Sequence, residues 1–241
     1  DFRHDERVEA PAIVWPLTTG SVLTMRFMDG WRLADLEEAR AAGVDCHGLA
    51  LHGATAFMRQ VLVHGRYHAD LHPANLLVTP RDTIAYLDFG IVGHLTPAER
   101  LAIAQVLAAL VYRDPDRALR YSAALGVVIP AESVTGVRAG LARLLDGSSR
   151  TDGSTDFARF GIGLLTLLDR HGVKVPAGYG LLIKSLATVE GVARTLYPEI
   201  DIIETARPFV TRVLARAMAD PVSLRVRTTA AVRAAITEFV R

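Results

Sequence analysis

Apolar and β-branched residues flank a Thr-Thr-Gly-Ser cluster in AIVWPLTTGSVLTMRF, residues 12 to 27, so two extended runs joined as a hairpin are predicted there. Pro16 lacks an amide hydrogen and confines the first run to an edge or ends it. After MDGWR the period becomes helical, first in LADLEEARAAG and then through residues 47 to 64, until Gly65 stops it. Two short strands follow, LLVT (76 to 79) and IAYLD (84 to 88), separated by Pro-Arg-Asp and expected to pair as a tight hairpin. Everything afterwards reads as helix. Thr96-Pro97-Ala98-Glu99 has the form of a capping box with proline at the first helical position and opens a helix to about Tyr112. A second helix is expected from Asp114-Pro115 to near Gly126, and others over roughly 157 to 171, 177 to 196, 204 to 219 and 221 to 240. DGSSRTDGSTD, residues 146 to 156, is the expected flexible loop. No repeat of fixed period is visible.

Composition narrows the class. At 241 residues and 50% hydrophobic, the chain is expected to be folded and soluble, as one domain or two lobes. A formal net charge of +1 argues against nucleic-acid binding driven by bulk electrostatics. Cys46 is the only cysteine, which rules out an intramolecular disulfide and points to a reducing, cytoplasmic setting. Neither LAIAQVLAALVY (101 to 112) nor FGIGLLTLL (160 to 168) reaches the roughly 20 residues a bilayer crossing needs, and the charged N-terminal residues lack a signal-peptide core. Among 27 basic residues only Lys174 and Lys184 are lysines, so any chemistry requiring lysine within this chain has two candidates.

The chemistry concentrates in HADLHPANLLVTPRDTIAYLDFG, residues 68 to 90. Phosphoryl transfer requires an oriented nucleophile, a metal ion against the phosphates and neutralisation of developing charge. In the kinase arrangement a loop Asp takes the hydroxyl proton, an Asn five residues on binds one Mg²⁺, and the Asp of Asp-Phe-Gly binds the metals. Asp70, Asn75 and Asp88 fit those roles, and the predicted hairpin returns Asp88 beside the loop that carries Asp70. An Asp followed by such an Asn is common in surface loops; the strand pair and the terminal Asp-Phe-Gly make the combination specific. His72 sits where a basic group faces the γ-phosphate in many kinases, and it equally suits a loop cap.

Two other motifs compete. His64, His68 and His72 recur every four residues and with Asp70 resemble a zinc set, but Gly65 and Pro73 break the shared face. The blander assignment has His64 ending a helix and His68 propping the loop. Gly161-Ile-Gly163 and Gly178-Tyr-Gly180 do not follow a strand and open a helix as a phosphate loop must, and are read as close-packing or helix-start glycines.

YHADLHPANLLV with IAYLDFGIVGHLTPAER resembles the UbiB (AarF/ADCK-type) atypical kinase family. SVLTMRFMDGWRLADL looks like that family's hinge, and LIKSLATVEGVARTLYPEIDIIETARPFV like its helical segment, so the likeness runs from about residue 11 to 210. The resemblance implies a protein-kinase-like α+β fold, mainly α. Residues 1–30 would be a small-lobe remnant and hinge, 31–220 the large lobe, and 221–241 an Arg-rich C-terminal helix. It implies ATP and Mg²⁺ as cofactors, Asp70 as the loop aspartate, Asn75 and Asp88 as metal ligands, and backbone near Arg26, Phe27 and Met28 against the adenine. It also implies a role in ubiquinone or other isoprenoid-lipid metabolism, with a lipid or quinone-pathway partner. The family's KxGQ segment, nucleotide-covering loop and phosphate-binding lysine have no counterpart here, since residues 1 to 24 contain no lysine, and Arg26 replaces the family's usual hinge Glu. The expectation is therefore of a fragment with little turnover alone. The alternatives are a pseudokinase or binding module, and a phosphotransferase of the aminoglycoside or choline kinase type, which shares the loop but not the Phe-Gly-Ile-Val-Gly continuation. Seven arginines in residues 205 to 241 read as a solvated helical face or as a peripheral contact with anionic lipid.

Overall fold

The computed structural model describes residues 5–148 and 156–219. In chain order its elements are β1 (Val8–Glu9), β2 (Trp31–Arg32), α1 (Leu36–Ala41), α2 (Cys46–Met58), β3 (Arg66–His68), β4 (Leu76–Val78), β5 (Ile84–Tyr86), β6 (Val92–His94), α3 (Pro97–Val111), α4 (Pro115–Ser122), α5 (Val134–Gly147), α6 (Phe157–Arg170), α7 (Ala177–Leu196) and α8 (Ile202–Ala219). The strands form a four-stranded sheet in the order β1-β5-β4-β2 and a separate pair β3-β6. All pairings are antiparallel except β1 with β5.

Most element ends follow local chemistry. The Asp45 side chain accepts from Gly48 N and starts α2. The helix continues as a π-helical turn, Arg59–His64, and stops at Gly65, whose φ of 68° is left-handed. Thr96 and Glu99 complete the predicted capping box of α3, each side chain accepting from the other residue's backbone N–H. The predicted 76–79 and 84–88 runs pair with Leu76 opposite Tyr86 and Val78 opposite Ile84.

Several elements depart from the sequence pattern. Residues 12–27 pair through one antiparallel bridge, Ile13 to Met25, because Pro16 turns the first run into a short 3-10 helix, Trp15–Leu17. The α4 helix ends at Ser122 and tightens into a 3-10 turn before left-handed Gly126. The last described helix starts at Ile202 rather than 204, since Asp201 Oδ1 accepts from both Ile203 N and Glu204 N. The pattern did not single out α5, β1, β2 or the β3-β6 pair. Residues 149–155 of the predicted loop and the predicted 221–240 helix lie outside the described residues.

The core is helical. Leu49, Phe57 and Met58 of α2 join Ile103 and Leu107 of α3, Leu186 and Val189 of α7, and Ile202 and Val210 of α8 in one buried cluster. Between α5 and α6 the backbones come close because a Cβ on Gly140 would lie 2.3 Å from Leu167, and one on Gly163 2.6 Å from Leu144. Gly163 is thus a close-packing glycine, as its motif suggested.

A buried charge ties α6 to α7. Glu190 is fully buried, accepts from Ala158 N in the first turn of α6, and meets Arg194 Nε at 2.9 Å. The carboxylate therefore satisfies an orphan amide at the positive end of a neighbouring helix. Replacing Glu190 by Ala strands Arg194 and that amide, and is expected to destabilise the fold by about 3–5 kcal/mol, read as a lower denaturant midpoint with unchanged slope.

Candidate functional site

The three predicted site residues are brought together by one hairpin and one imidazole. β3 ends at His68, the chain passes Asp70, and a 3-10 turn, Pro73–Asn75, feeds directly into β4. At the far end of β5, Leu87 N donates to Asn75 O at 2.9 Å, placing Asp88 next to the Asn75 backbone. His68 closes the arrangement. Its Nε2 lies 2.6 Å from Asp88 O, and its Nδ1 accepts from Asp70 N at 3.2 Å. A carbonyl oxygen only accepts, so the proton is on Nε2 and the ring is the neutral tautomer. His68 is 4% exposed, so this neutral ring couples the Asp70 loop to Asp88 away from competing water.

The shell around His68 is equally specific. Gln60 Oε1 accepts from His68 N at 3.0 Å, and Ala69 N donates to Ile91 O at 3.0 Å. The ring also lies 5.7 Å from Phe89 and 6.3 Å from Tyr86 between centroids. Burial pushes the Tyr86 hydroxyl up to about 12, so it stays protonated. Gly90 N donates to Asp88 Oδ1 at 2.9 Å and fixes the carboxylate's direction.

Asp70 is half-exposed and its Oδ1 meets Lys184 Nζ of α7 at 3.1 Å. The start of α7 is anchored to the same region: Tyr67 Oη donates to Gly178 O, and Tyr179 Oη to Glu99 Oε1. The Tyr179 bond, then the Thr96 amide and hydroxyl, hold the Glu99 carboxyl below its usual range. Tyr67 in turn lies against Gly93 of β6, where a Cβ would come within 2.2 Å of the ring.

The remaining predicted residues fall into place differently. His72 caps the Pro73–Asn75 turn, its Nδ1 accepting from Ala74 N at 3.1 Å, which leaves only Nε2 to face a phosphate. In the segment expected to be the hinge, Arg26 N donates to Ala12 O at 2.8 Å, so that amide is committed within the chain. Burial, followed by the charge of Arg59, holds the His64 imidazole below its usual pKa. Among the described residues no three His, Cys, Asp or Glu side chains gather in metal-binding geometry. The hard oxygens of the Asp88 carboxylate and the Asn75 side chain are a donor set that suits a partly hydrated Mg²⁺ shared with phosphates, which needs no protein cage.

Sequence reasoning missed Gln60 and did not connect Lys184 to Asp70. Gln60 reaches the loop through the π-helical turn, which a 3.6-residue period does not reveal. The scarcity of lysine was the one signal for Lys184.

Residues 1–122 match the ABC1 atypical kinase-like domain, and residues 156–201 the UbiB helical domain. An uncharacterized protein of Synechocystis sp. is 35% identical over 89% of this chain and 38% of its own length. The Arabidopsis thaliana protein named Activity of BC1 complex kinase 3, chloroplastic, is 31% identical over 89% of this chain and 30% of its own. The chain thus spans about a third of such relatives. A Mycobacterium tuberculosis protein solved in complex with erythromycin superposes with a TM-score of 0.53 at 16% identity, covering 81% of this chain and 50% of that one, which supports a protein-kinase-like fold. With the loop, the hairpin and both matched domains in agreement, the chain belongs to the UbiB group of ABC1 atypical kinase-like proteins.

Proposed function

We propose that this chain is the large-lobe portion of an ATP-dependent phosphotransferase or ATPase of the UbiB type, with residues 1–30 the end of a small lobe and its hinge and residues 31–220 the large lobe. The observation that carries the reading is the His68 bridge, which holds the Asp70 loop and the Asp88 backbone in one rigid unit. In this reading Asn75 and Asp88 hold Mg²⁺, which when bound screens the phosphate oxygens. Phe27 and Met28 offer backbone groups to the adenine.

Asp70 faces the acceptor. The acceptor oxygen, from a hydroxyl or from water, attacks the γ-phosphorus as the bond to the β-phosphate oxygen breaks and ADP leaves with the electron pair. The acceptor's proton passes to the Asp70 carboxylate. Exposed apolar side chains along the 12–27 hairpin, Trp15, Leu17, Leu23 and Phe27, are what a fuller small lobe would cover.

For the acceptor, the family resemblance points to isoprenoid-lipid or quinone metabolism. An apolar cavity of about 150 Å³, lined by Phe57, Leu141, Leu164, Leu182, Ile183 and Leu186, supports an apolar ligand close to α7. Among the described residues no helix is long and apolar enough to cross a membrane, so contact with a lipid would be peripheral or through segments outside them.

The test is calorimetric titration of Mg·ATP into this chain and into a version extended upstream as far as its reading frame allows. The expected result is binding that is strongest in the extended protein and falls below detection in Asp88→Ala. Binding indifferent to Asp88, or absent from both proteins, would turn the reading toward a binding module without nucleotide chemistry. In the extended protein, Asp70→Asn is expected to lower turnover by about 10²- to 10⁴-fold while leaving the KM for ATP nearly unchanged.

A further inference from the structure

Phosphoryl transfer needs a cation at the transferring group, and among the basic side chains of the described residues it is Lys184 that the structure puts on the candidate base. Its ammonium lies 3.1 Å from Asp70 Oδ1, although the two residues are 114 positions apart. Lys184 stands on the exposed side of α7, whose opposite side carries buried Leu182, Ser185, Leu186 and Val189. The helix cannot easily shift, since Tyr67 and Tyr179 anchor its first turn and Glu190 ties it to α6. The lysine is thus delivered to the loop by a fixed scaffold on a flexible stem.

The pair is poorly explained as a stabilising contact. Its side chains are 61% and 49% exposed, where solvent screening leaves an ion pair with little net effect on folding. The chain otherwise answers almost every need for positive charge with arginine, 27 basic residues including only two lysines. An arginine fork would grip both carboxylate oxygens, whereas the ammonium contacts Oδ1 and is a compact point charge suited to phosphate.

Resting on the nucleotide reading above, we propose that Lys184 is the phosphate-contacting cation of this site. In-line attack puts the acceptor oxygen beside Asp70 and about 3–3.5 Å from the γ-phosphorus. An ammonium in contact with Asp70 therefore has the terminal phosphoryl oxygens within the sweep of its own side chain. When a triphosphate is bound, Lys184 turns from Asp70 to those oxygens and frees the carboxylate to receive the proton. A diphosphate ends short of it. The same motion makes the carboxylate an internal placeholder for the terminal phosphate.

The test uses the full-length product of the reading frame that carries this chain, with Mg·ADP and a non-hydrolysable Mg·ATP analogue titrated into wild type, Lys184→Met and Lys184→Arg. Lys184→Met is expected to weaken the triphosphate by about tenfold to a hundredfold while ADP affinity and melting temperature stay unchanged, and Lys184→Arg to keep only part of the triphosphate preference because its fork grips both Asp70 oxygens. Equal losses for both nucleotides, or no loss for either, would overturn the role of Lys184 and leave the nucleotide reading standing. Wild-type protein that binds neither nucleotide would overturn both, and that result appears before any substitution is made.

Discussion

The site depends on one neutral imidazole. His68 spends both ring nitrogens on main-chain groups, donating to the Asp88 carbonyl and accepting from the Asp70 amide. A protonated ring would lose the second bond, and an apolar replacement would leave the Asp88 carbonyl and the Asp70 amide without the group that joins them. The surrounding structure serves this ring. The π-helical turn supplies Gln60 to the His68 amide, the β3-β6 pair fixes the strand that carries it, and Tyr86 and Phe89 wall it off. The two carboxylates project from this unit while their backbones are held, which suits groups that must keep position as charge changes beside them.

What the chain betrays in advance is what its neighbours in sequence decide. The 76–88 hairpin, the Thr96 capping box and the stop at Gly65 each rest on a few adjacent residues, and each is found where those residues put it. The Asp70, Asn75 and Asp88 triplet was legible for the same reason, since the hairpin between them sets their separation. Contacts made over long separations were not. The parallel pairing of β1 with β5 joins residues far apart through strands of two and three residues, too short for any alternation to show. β3 and β6 were hidden likewise, one in the approach to the loop and the other in its exit. The family resemblance supplied the fold that these local signals left open, and the matched domains agree with it.

The helical half has a related logic. α5 and α6 approach through Gly140 and Gly163, and Glu190 reaches from α7 to cap α6, so the three helices form a block whose geometry is set by missing side chains and by one buried charge. Neither device has a periodic signature, and α5 in particular, with Gly136 and Gly140 against their neighbours, reads as an indifferent helix. The block gives α7 a firm back. Its other side, anchored at Tyr67 and Tyr179, meets the Asp70 loop through Lys184.

The division of labour between these halves follows from electrostatics. Two carboxylates near a polyphosphate repel it, and a site built only from residues 68 to 88 would bind nucleotide poorly without compensating positive charge. In the proposed reading a bound Mg²⁺ would supply part of that compensation on the Asp88 side. On the Asp70 side a fixed cation would hold the carboxylate too firmly for it to accept a proton, and a distant one would do nothing for the phosphates. A lysine on a rigid helix, reaching across an exposed gap to a single carboxylate oxygen, satisfies both demands, because its charge stays local while its partner can change.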